Sequence, residues 1–422
     1  MSMRAAISCV DITPPIGLMM VGFAARTGPS LGTHDALTVR AVVVNDTAMV
    51  VVDVIGIHED MSLRIRERCG LPADNVVIAA LHTHGGPASM KDRAGGGTDP
   101  DYLIRLENAC VQAIDQAAKA LVPVRLKVGM GKDPDIARNR RHKDGLLDKS
   151  LPVLSIETLE GKTIAVLVSY ACHPVVLSAD NRLWTADYPH YVRSAIEEAV
   201  PGALSIFLTG CVGDANTGHS SQASLSLAAN ADRTYERAER IGRHIATCAL
   251  ATELNPVQSE ASASNSTVSL SFERREQKSA DQLLLDWHTE RPQAEPIRAL
   301  MLDHWMAWAK TAVKQELNPW TTRVTLLDWG GVKIIALPGE IFAETSLAIR
   351  RLLNQKPSFV IGFSDANAGY IPPASEYSYG GYEIDEAHRY YGMPASFKSG
   401  SAEALVAAVD NLMKYQVQST NH

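Results

Sequence analysis

Val76-Val77-Ile78-Ala79-Ala80-Leu81-His82-Thr83-His84-Gly85-Gly86-Pro87 is the stretch on which the reading of this chain turns. Six consecutive apolar residues predict a buried strand. That strand runs straight into two histidines one residue apart, and on an extended chain positions i and i+2 face the same side. Gly85 and Gly86 then permit a sharp turn and bring backbone N–H groups close to a ligand. Paired imidazoles and a glycine turn at the end of a buried strand predict a metal or catalytic site. The alternative is a strand end whose histidines are only hydrogen-bonded.

The pattern recurs. The apolar run 164–170 ends at Ala171-Cys172-His173-Pro174, and the run 204–208 ends at Gly210-Cys211-Val212-Gly213-Asp214. The run 332–337 ends at Pro338-Gly339-Glu340, and the run 359–363 leads through Ser364-Asp365-Ala366-Asn367 to Tyr370. In open α/β sheets, sites form where strand ends converge. Two or three histidines with a carboxylate are the donor set of a catalytic zinc, with one position left for water. A tyrosine oxygen is a rarer extra ligand.

Between the apolar runs lie helical spacings at 61–68, 100–121, 186–199, 229–253, 340–353 and 402–414. This alternation predicts an α/β fold: mixed β-sheets covered by helices in a layered sandwich, with the metal site at the converging C-terminal strand ends. A hairpin signal at Asn45-Asp46-Thr47 makes the first sheet mixed, and Gly330-Gly331 marks a second hairpin. Residues 273–320 are charged and helical and hold Trp287, Trp305, Trp308 and Trp320. They read as core packing, with two alternatives: a lid, or a subunit contact that would make the protein a homo-oligomer. With no internal repeat and no long linker, residues 1–422 read as a single catalytic domain. Gly95-Gly96-Gly97 and residues 220–226 read as mobile loops. The glycines lack the following Lys-Ser/Thr of a phosphate loop.

A net charge of −7 argues against nucleic acid as the main partner. Arg138, Arg140, Arg141, His142 and Lys143 form one basic cluster, read either as a solvated turn or as a site for an acidic substrate group. No apolar run approaches the roughly 18 residues of a membrane span. The first residues carry no apolar secretory core. Six isolated cysteines without a CxxC pair read as small buried hydrophobes in a reduced compartment. A catalytic role for Cys172 or Cys211 is the minor alternative. The expectation is a cytoplasmic protein with a small-molecule substrate.

Taken in order, these segments resemble the catalytic domain of the neutral, non-lysosomal ceramidases. Asp11-Ile12-Thr13-Pro14, Met20-Val21-Gly22-Phe23 and the segment from Gly32 through Ala41 resemble that family's opening elements. His82-Thr83-His84-Gly85-Gly86-Pro87 resembles its "HTHSGPG", the most specific match, and Asn139-Arg140 its "INRS". His173, Gly213-Asp214, Pro338-Gly339-Glu340, Tyr370-Ile371 and Tyr382-Glu383 follow in the same order. The resemblance implies one zinc ion held by His82, His173, Glu340 and Tyr370. It implies that His84 sits behind the ligands and positions a proton or nucleophile.

The chain departs from the family at one point. Its "GDVSPN" segment carries a serine implicated in amide cleavage, and here Asn216 stands at that position. Thr217 and Ser220 are nearby but not at the matching place. The leading expectation is therefore zinc-dependent hydrolysis of an amide, ester or lactone of a small soluble substrate by metal-bound water. His84, Arg140, Asp214 and Asn216 are the candidate catalytic residues. Gly85, Gly86, Asn139 and Tyr382 are the candidate substrate contacts. In this reading Asn216 and the glycine amides donate to the oxyanion, and Arg140 anchors a carboxylate or hydroxyl. The alternatives are a true ceramidase-type N-acyl amidase, a degenerate member that binds a ligand without turnover, and a structural protein with satisfied core histidines.

Overall fold

The computed structural model describes residues 3–419 apart from 27, 95–96, 221–229, 259 and 355. The loops expected at Gly95-Gly96 and 221–226 lie outside the described residues.

The larger sheet contains β1 (Arg4–Asp11), β2 (Thr38–Val44), β3 (Thr47–Val52), β4 (Val76–Ala80), β5 (Val122–Gly131), β6 (Leu151–Thr158), β7 (Thr163–Tyr170) and β8 (Leu204–Thr209). Their spatial order is β8-β7-β6-β5-β1-β2-β3-β4, with Asn255–Pro256 beside β5. The edge pairs β3–β4 and β7–β8 are parallel and the pairs between them antiparallel, as the hairpin signal required. Val44 pairs with Thr47, and Asn45 takes the left-handed conformation (φ 53°) that a two-residue hairpin turn demands. Strands β3 and β4 are buried at every position, which is why both read as unbroken apolar runs rather than alternating ones.

Helices α1 (Glu59–Arg68), α2 (Pro100–Lys119), α3 (Tyr188–Ala199) and α4 (Tyr235–Leu250) follow the strands. Helix α2 begins at Pro100 because Asp99 accepts from the Tyr102 amide and proline fits the first helical position. Its buried stripe of Tyr102, Leu106, Ala109, Ala113 and Ala117 packs across β1 and β2. The helix expected at 229–253 starts instead at Tyr235, capped by Thr234.

The smaller sheet, β9 (Ala261–Leu270), β10 (Trp320–Trp329), β11 (Val332–Ala336) and β12 (Phe359–Ile361), runs in that order. Its two faces alternate as a strand's period of two dictates. Leu327, Trp329, Ile334, Phe359 and Ile361 join the core of the large sheet. Val324, Leu326, Ile335 and Val360 turn to the opposite face and pack with Leu405, Val409 and Leu412 of the closing helix. Between the sheets' strands come α5 (Ala280–Glu290), α6 (Pro296–Thr311) and α7 (Ala343–Leu352), with α8 (Ser401–Ser419) last. The helical run expected over 273–319 is thus two helices, broken by a turn at Arg291–Gln293 and restarted at Pro296. The helix expected from Glu340 starts at Ala343, because Glu340–Ile341 first pairs with Tyr370–Ile371 in a short parallel ladder.

Isolated bridges tie the sheets at their ends: Ala79 to Ser364 and Gly210 to Ile361. The exits of β4, β7, β8, β11 and β12 therefore meet in one place. Among the described residues no helix is long and apolar enough to cross a membrane.

Candidate metal centre and cavity

Strand β4 stops at Ala80, and His82 then adopts φ 66°. A left-handed, non-glycine residue costs of order 1–3 kcal/mol and persists only where its surroundings impose it. Here the imposing contact is Phe363, itself at φ 54°, whose ring stacks on the His82 imidazole at 3.9 Å and 12°. The two imidazoles of the His-Thr-His stretch come together through this bend and not through simple strand alternation.

His82 donates from Nδ1 to the Ile55 carbonyl (2.6 Å), and His173 donates from Nδ1 to the Val212 carbonyl (2.7 Å). A carbonyl only accepts, so each ring's proton lies on Nδ1 and each Nε2 presents a bare lone pair. Those two Nε2 atoms lie 3.1 Å apart, and His84 Nε2 lies 3.4 Å from that of His82. Glu340 Oε2 joins them, 3.2 Å from His173 Nε2 and 3.6 Å from His82 Nε2. That oxygen is buried without a hydrogen-bond partner, while the Tyr391 hydroxyl donates to Oε1. Burial drives His82 down to about 4, and it drives His84, flanked by His82 and His173, well below the usual histidine range. His82 and His84 are thus neutral near pH 7. Burial works to raise Glu340, but His82, His173 and Tyr391 hold it down to about 2, so it is ionised. Lone pairs and a carboxylate oxygen turned toward one point repel unless a cation sits among them. The residues present therefore fit a divalent metal. His82, His84 and His173 form a group whose donor atoms all lie within 4.8 Å of one another.

Glu340 and Tyr370 are partners in the short parallel ladder, which brings Tyr370 beside the cluster. Its hydroxyl accepts from Arg140 Nη2 (2.9 Å), and burial pushes its pKa well up. Arg140 Nε donates to Glu383 (2.9 Å). Arg141 binds the other Glu383 oxygen and Glu376 (2.8 Å), and His142 reaches Glu376 (3.0 Å). The basic cluster thus divides: Arg138 and Lys143 are exposed, while Arg140, Arg141 and His142 are paired. Arg140 and Arg141 are largely buried in an ion-pair network fastening residues 139–142 to residues 376–383.

Several expected site residues instead hold the framework. Asp214 accepts from Asn139 Nδ2 (2.9 Å) and the Ala343 amide (2.8 Å), and its carbonyl accepts from Arg140 N (2.8 Å). It staples three segments together, with Asn139 as one of its partners. Asn216 Oδ1 accepts from Gly218 N and His219 N, and its Nδ2 donates to the His219 carbonyl (2.7 Å). Its amide closes a local turn, and the residue also lines the cavity. Gly85 donates its amide to Thr83 Oγ1 (3.0 Å), inside the turn and not into the cavity. Gly85 and Gly86 are needed for packing: a Cβ on Gly85 would meet Thr185 at 2.5 Å, and one on Gly86 would press on the Asp53 carbonyl. Cys172 and Cys211 are fully buried, which pushes both thiols up and away from nucleophilic use.

Over the histidines opens a cavity of about 300 Å³. Its floor carries His84, His173, Glu340 and Tyr370. Its walls are largely apolar, with Met19, Met20, Phe23, Ile55 and Val175, and Tyr382, Tyr390 and Tyr391 close one side. Leu300 and His304 reach it from α6, so the tryptophan-rich segment contributes a wall. Trp287, Trp305 and Trp308 themselves pack with Leu283, Met301 and Leu302 in a separate apolar cluster. Sequence reading missed Tyr391 and Arg26, and named Glu383 only through the family resemblance. Tyr391 follows no strand and had no local signal. Glu383 and Arg26 have partners more than fifty residues away, which no spacing rule reveals.

Residues 5–379 match the family described as neutral/alkaline non-lysosomal ceramidase, N-terminal. The neutral ceramidase of Drosophila melanogaster is 26% identical over 225 residues, covering 46% of this chain and 32% of that protein. Neutral ceramidase A of Dictyostelium discoideum is 26% identical over 155 residues, covering 32% of this chain and 22% of its own length. The match thus spans a third or less of these curated relatives. The crystal structure of neutral ceramidase from Pseudomonas aeruginosa superposes with a TM-score of 0.74 at 16% identity, covering 98% of this chain and 75% of that one. That likeness establishes the fold.

Proposed function

Because the chain belongs to the neutral/alkaline non-lysosomal ceramidase family, we propose that it is a zinc-dependent hydrolase of an amide or ester bond in a small substrate. The observation that carries this reading is the convergence of bare imidazole Nε2 atoms and an orphaned carboxylate oxygen at the floor of an apolar cavity. His82, His173 and Glu340 would hold one ion, with His84 or the Tyr370 hydroxyl completing the set. Zinc bound there supplies Lewis acidity, lowering the pKa of bound water toward ~7 and polarising a carbonyl.

The chain's own residues do the rest. The carbonyls of Ile55 and Val212 fix the rings of His82 and His173 through their Nδ1–H groups. Tyr391 fixes one Glu340 oxygen and leaves the other for the metal. Gly22 walls off His84 Nδ1, since a Cβ there would lie 2.6 Å from it. With Tyr370 completing the set, Nε2 is the atom at which His84 exchanges a proton, taking it from the attacking water and returning it to the leaving group. Arg140, held by Glu383, presents its guanidinium to the substrate. Asn216 is not a competent acyl-forming nucleophile, so the reaction is a single displacement by water. A cavity of about 300 Å³ is at the small end for ligand pockets and suits a short-chain substrate.

The test is to load the purified protein with zinc and screen N-acyl amides, esters and lactones, ceramide included. Turnover that disappears with chelation and returns with metal supports the reading. Stoichiometric metal with no turnover of any class would favour a ligand-binding protein. Trapping an acyl group on Thr217 or Ser220 would overturn the water mechanism.

A further inference from the structure

The charged lining of the cavity is mostly basic. Arg26, Arg140 and Arg233 line it against the single carboxylate of Glu340. Arg140 is answered by Glu383. Arg26 is only 6% exposed, and its hydrogen bonds all end on backbone carbonyls: Val21 (3.0 Å) and His84 (2.8 Å) through Nη1, and Ser178 (3.4 Å) through Nη2. Its Nε is buried without any partner, and among the described residues it forms no ion pair. Arg233 lies on the same aromatic ring: the two guanidinium carbons sit 4.9 and 5.5 Å from the Phe23 centroid. Asp180 acts on Arg26 without bonding it, so a buried guanidinium whose bonds all end on carbonyls still pays a desolvation penalty that an incoming anion relieves. Burial accordingly lowers Arg26 to about 9.

Resting on the hydrolase reading above, we propose that the substrate is an anionic amphiphile of the N-acyl amino acid type. Its carboxylate faces the Arg26 side of the cavity, and its acyl chain lies along Met19, Met20, Ile55 and Leu300. Arg26 binds the carbonyl of His84 itself, so the anionic group lies close to the reacting centre, as an α-carboxylate lies close to its amide. Hydrolysis adds water across that amide. The C–N bond breaks, a C–O bond forms on the acyl carbon, and the amine leaves with the proton. A neutral amide of the same length gains nothing from Arg26.

The experiment compares N-octanoylglycine with N-octanoylglycinamide on the zinc-loaded full chain, at low and at high salt. A charge-assisted contact predicts kcat/KM about tenfold or more in favour of the carboxylate, shrinking as salt rises. Arg26→Gln should erase the preference and Arg26→Lys retain part of it. The wild-type comparison stands alone if these variants fail to fold. Equal or faster cleavage of the glycinamide would overturn the proposal. If neither compound is cleaved, the hydrolase reading fails separately, and calorimetric binding of the same pair decides the charge question. Tighter binding of N-octanoylglycine supports the anion site, and equal or weaker binding ends it.

Discussion

At the floor of the cavity His82, His84, His173 and Glu340 press buried polar atoms against each other, and Glu340 Oε2 and His84 Nδ1 have no partner. On the wall above, α5 and α6 gather Trp287, Trp305 and Trp308 around Arg389, whose guanidinium lies 4.4, 5.4 and 5.5 Å from the Trp305, Trp287 and Trp308 rings. Arg389 also bonds Glu276 (3.1 Å), and Trp308 donates to the Met393 carbonyl (2.7 Å). The tryptophan cluster gains from aromatic burial and cation–π contact. The floor gains nothing from its own crowding. Sites that violate packing and satisfaction rules are where function is sought, because the surrounding fold must hold them against their preference.

The comparison breaks most sharply at His173. His173→Ala should abolish metal binding and cut turnover by more than about 10³-fold, since both the ion and its water are lost. The same variant without metal should be no less stable than wild type, because one member of a repulsive cluster is gone. Metal analysis and urea denaturation in chelator check both halves. A large loss of apo stability would make the cluster structural.

His84→Ala sharpens the division inside the floor. If His84 handles a proton, the variant keeps its metal and loses about 10²–10⁴-fold in turnover. Metal lost in proportion to activity would make it a ligand instead. Titration with zinc followed by steady-state kinetics separates the two.

Trp308→Ala tests the wall. Removing a buried indole should cost about 3–5 kcal/mol of folding stability, read as a lower urea midpoint. Turnover per folded, metal-loaded molecule should change only a few-fold. A collapse of kcat at full metal content would show that the wall positions the floor.

The smallest effect belongs to Asp214, which ties Asn139 to the start of α7 at Ala343. Burial raises its pKa to about 6, against roughly 3.9 unfolded. Between these values the folded chain holds a proton that the unfolded chain has lost, so stability falls as pH rises from about 4 to about 6. Asp214→Asn should make that slope shallower by up to one proton, about 1.4 kcal/mol per pH unit. An unchanged slope would mean that the Asp214 pKa is not raised in the folded protein.

The strand exits were legible because each is local: an apolar run, then a ligand-type residue within a few positions. His82, His173, Glu340 and Tyr370 were all named that way, and the structure brings their segments to the ends of two sheets that meet at Gly210–Ile361 and Ala79–Ser364. Helices are legible, and the start at Pro100 with them, but other starts are not, because the caps Thr234 and Asp187 and the ladder at Glu340 override periodicity at helix ends. Residues named for chemistry have partners that residue type and spacing do not show. Asp214 and Asn216 spend their polar atoms on the framework, and Gly85 spends its amide on Thr83.

The sequence by itself determined the α/β class, the mixed sheet and the ligand-type residues at strand ends. Those follow from periodicity, turn chemistry and residue type, which act over a few positions. Only the tertiary structure decided that the imidazole lone pairs face one point, that Tyr391 holds Glu340, that Glu383 neutralises Arg140 and that Arg26 forms no ion pair among the described residues. The physical reason is that charge compensation and metal geometry are set by distances between groups far apart in the chain, and local pattern carries no record of those distances.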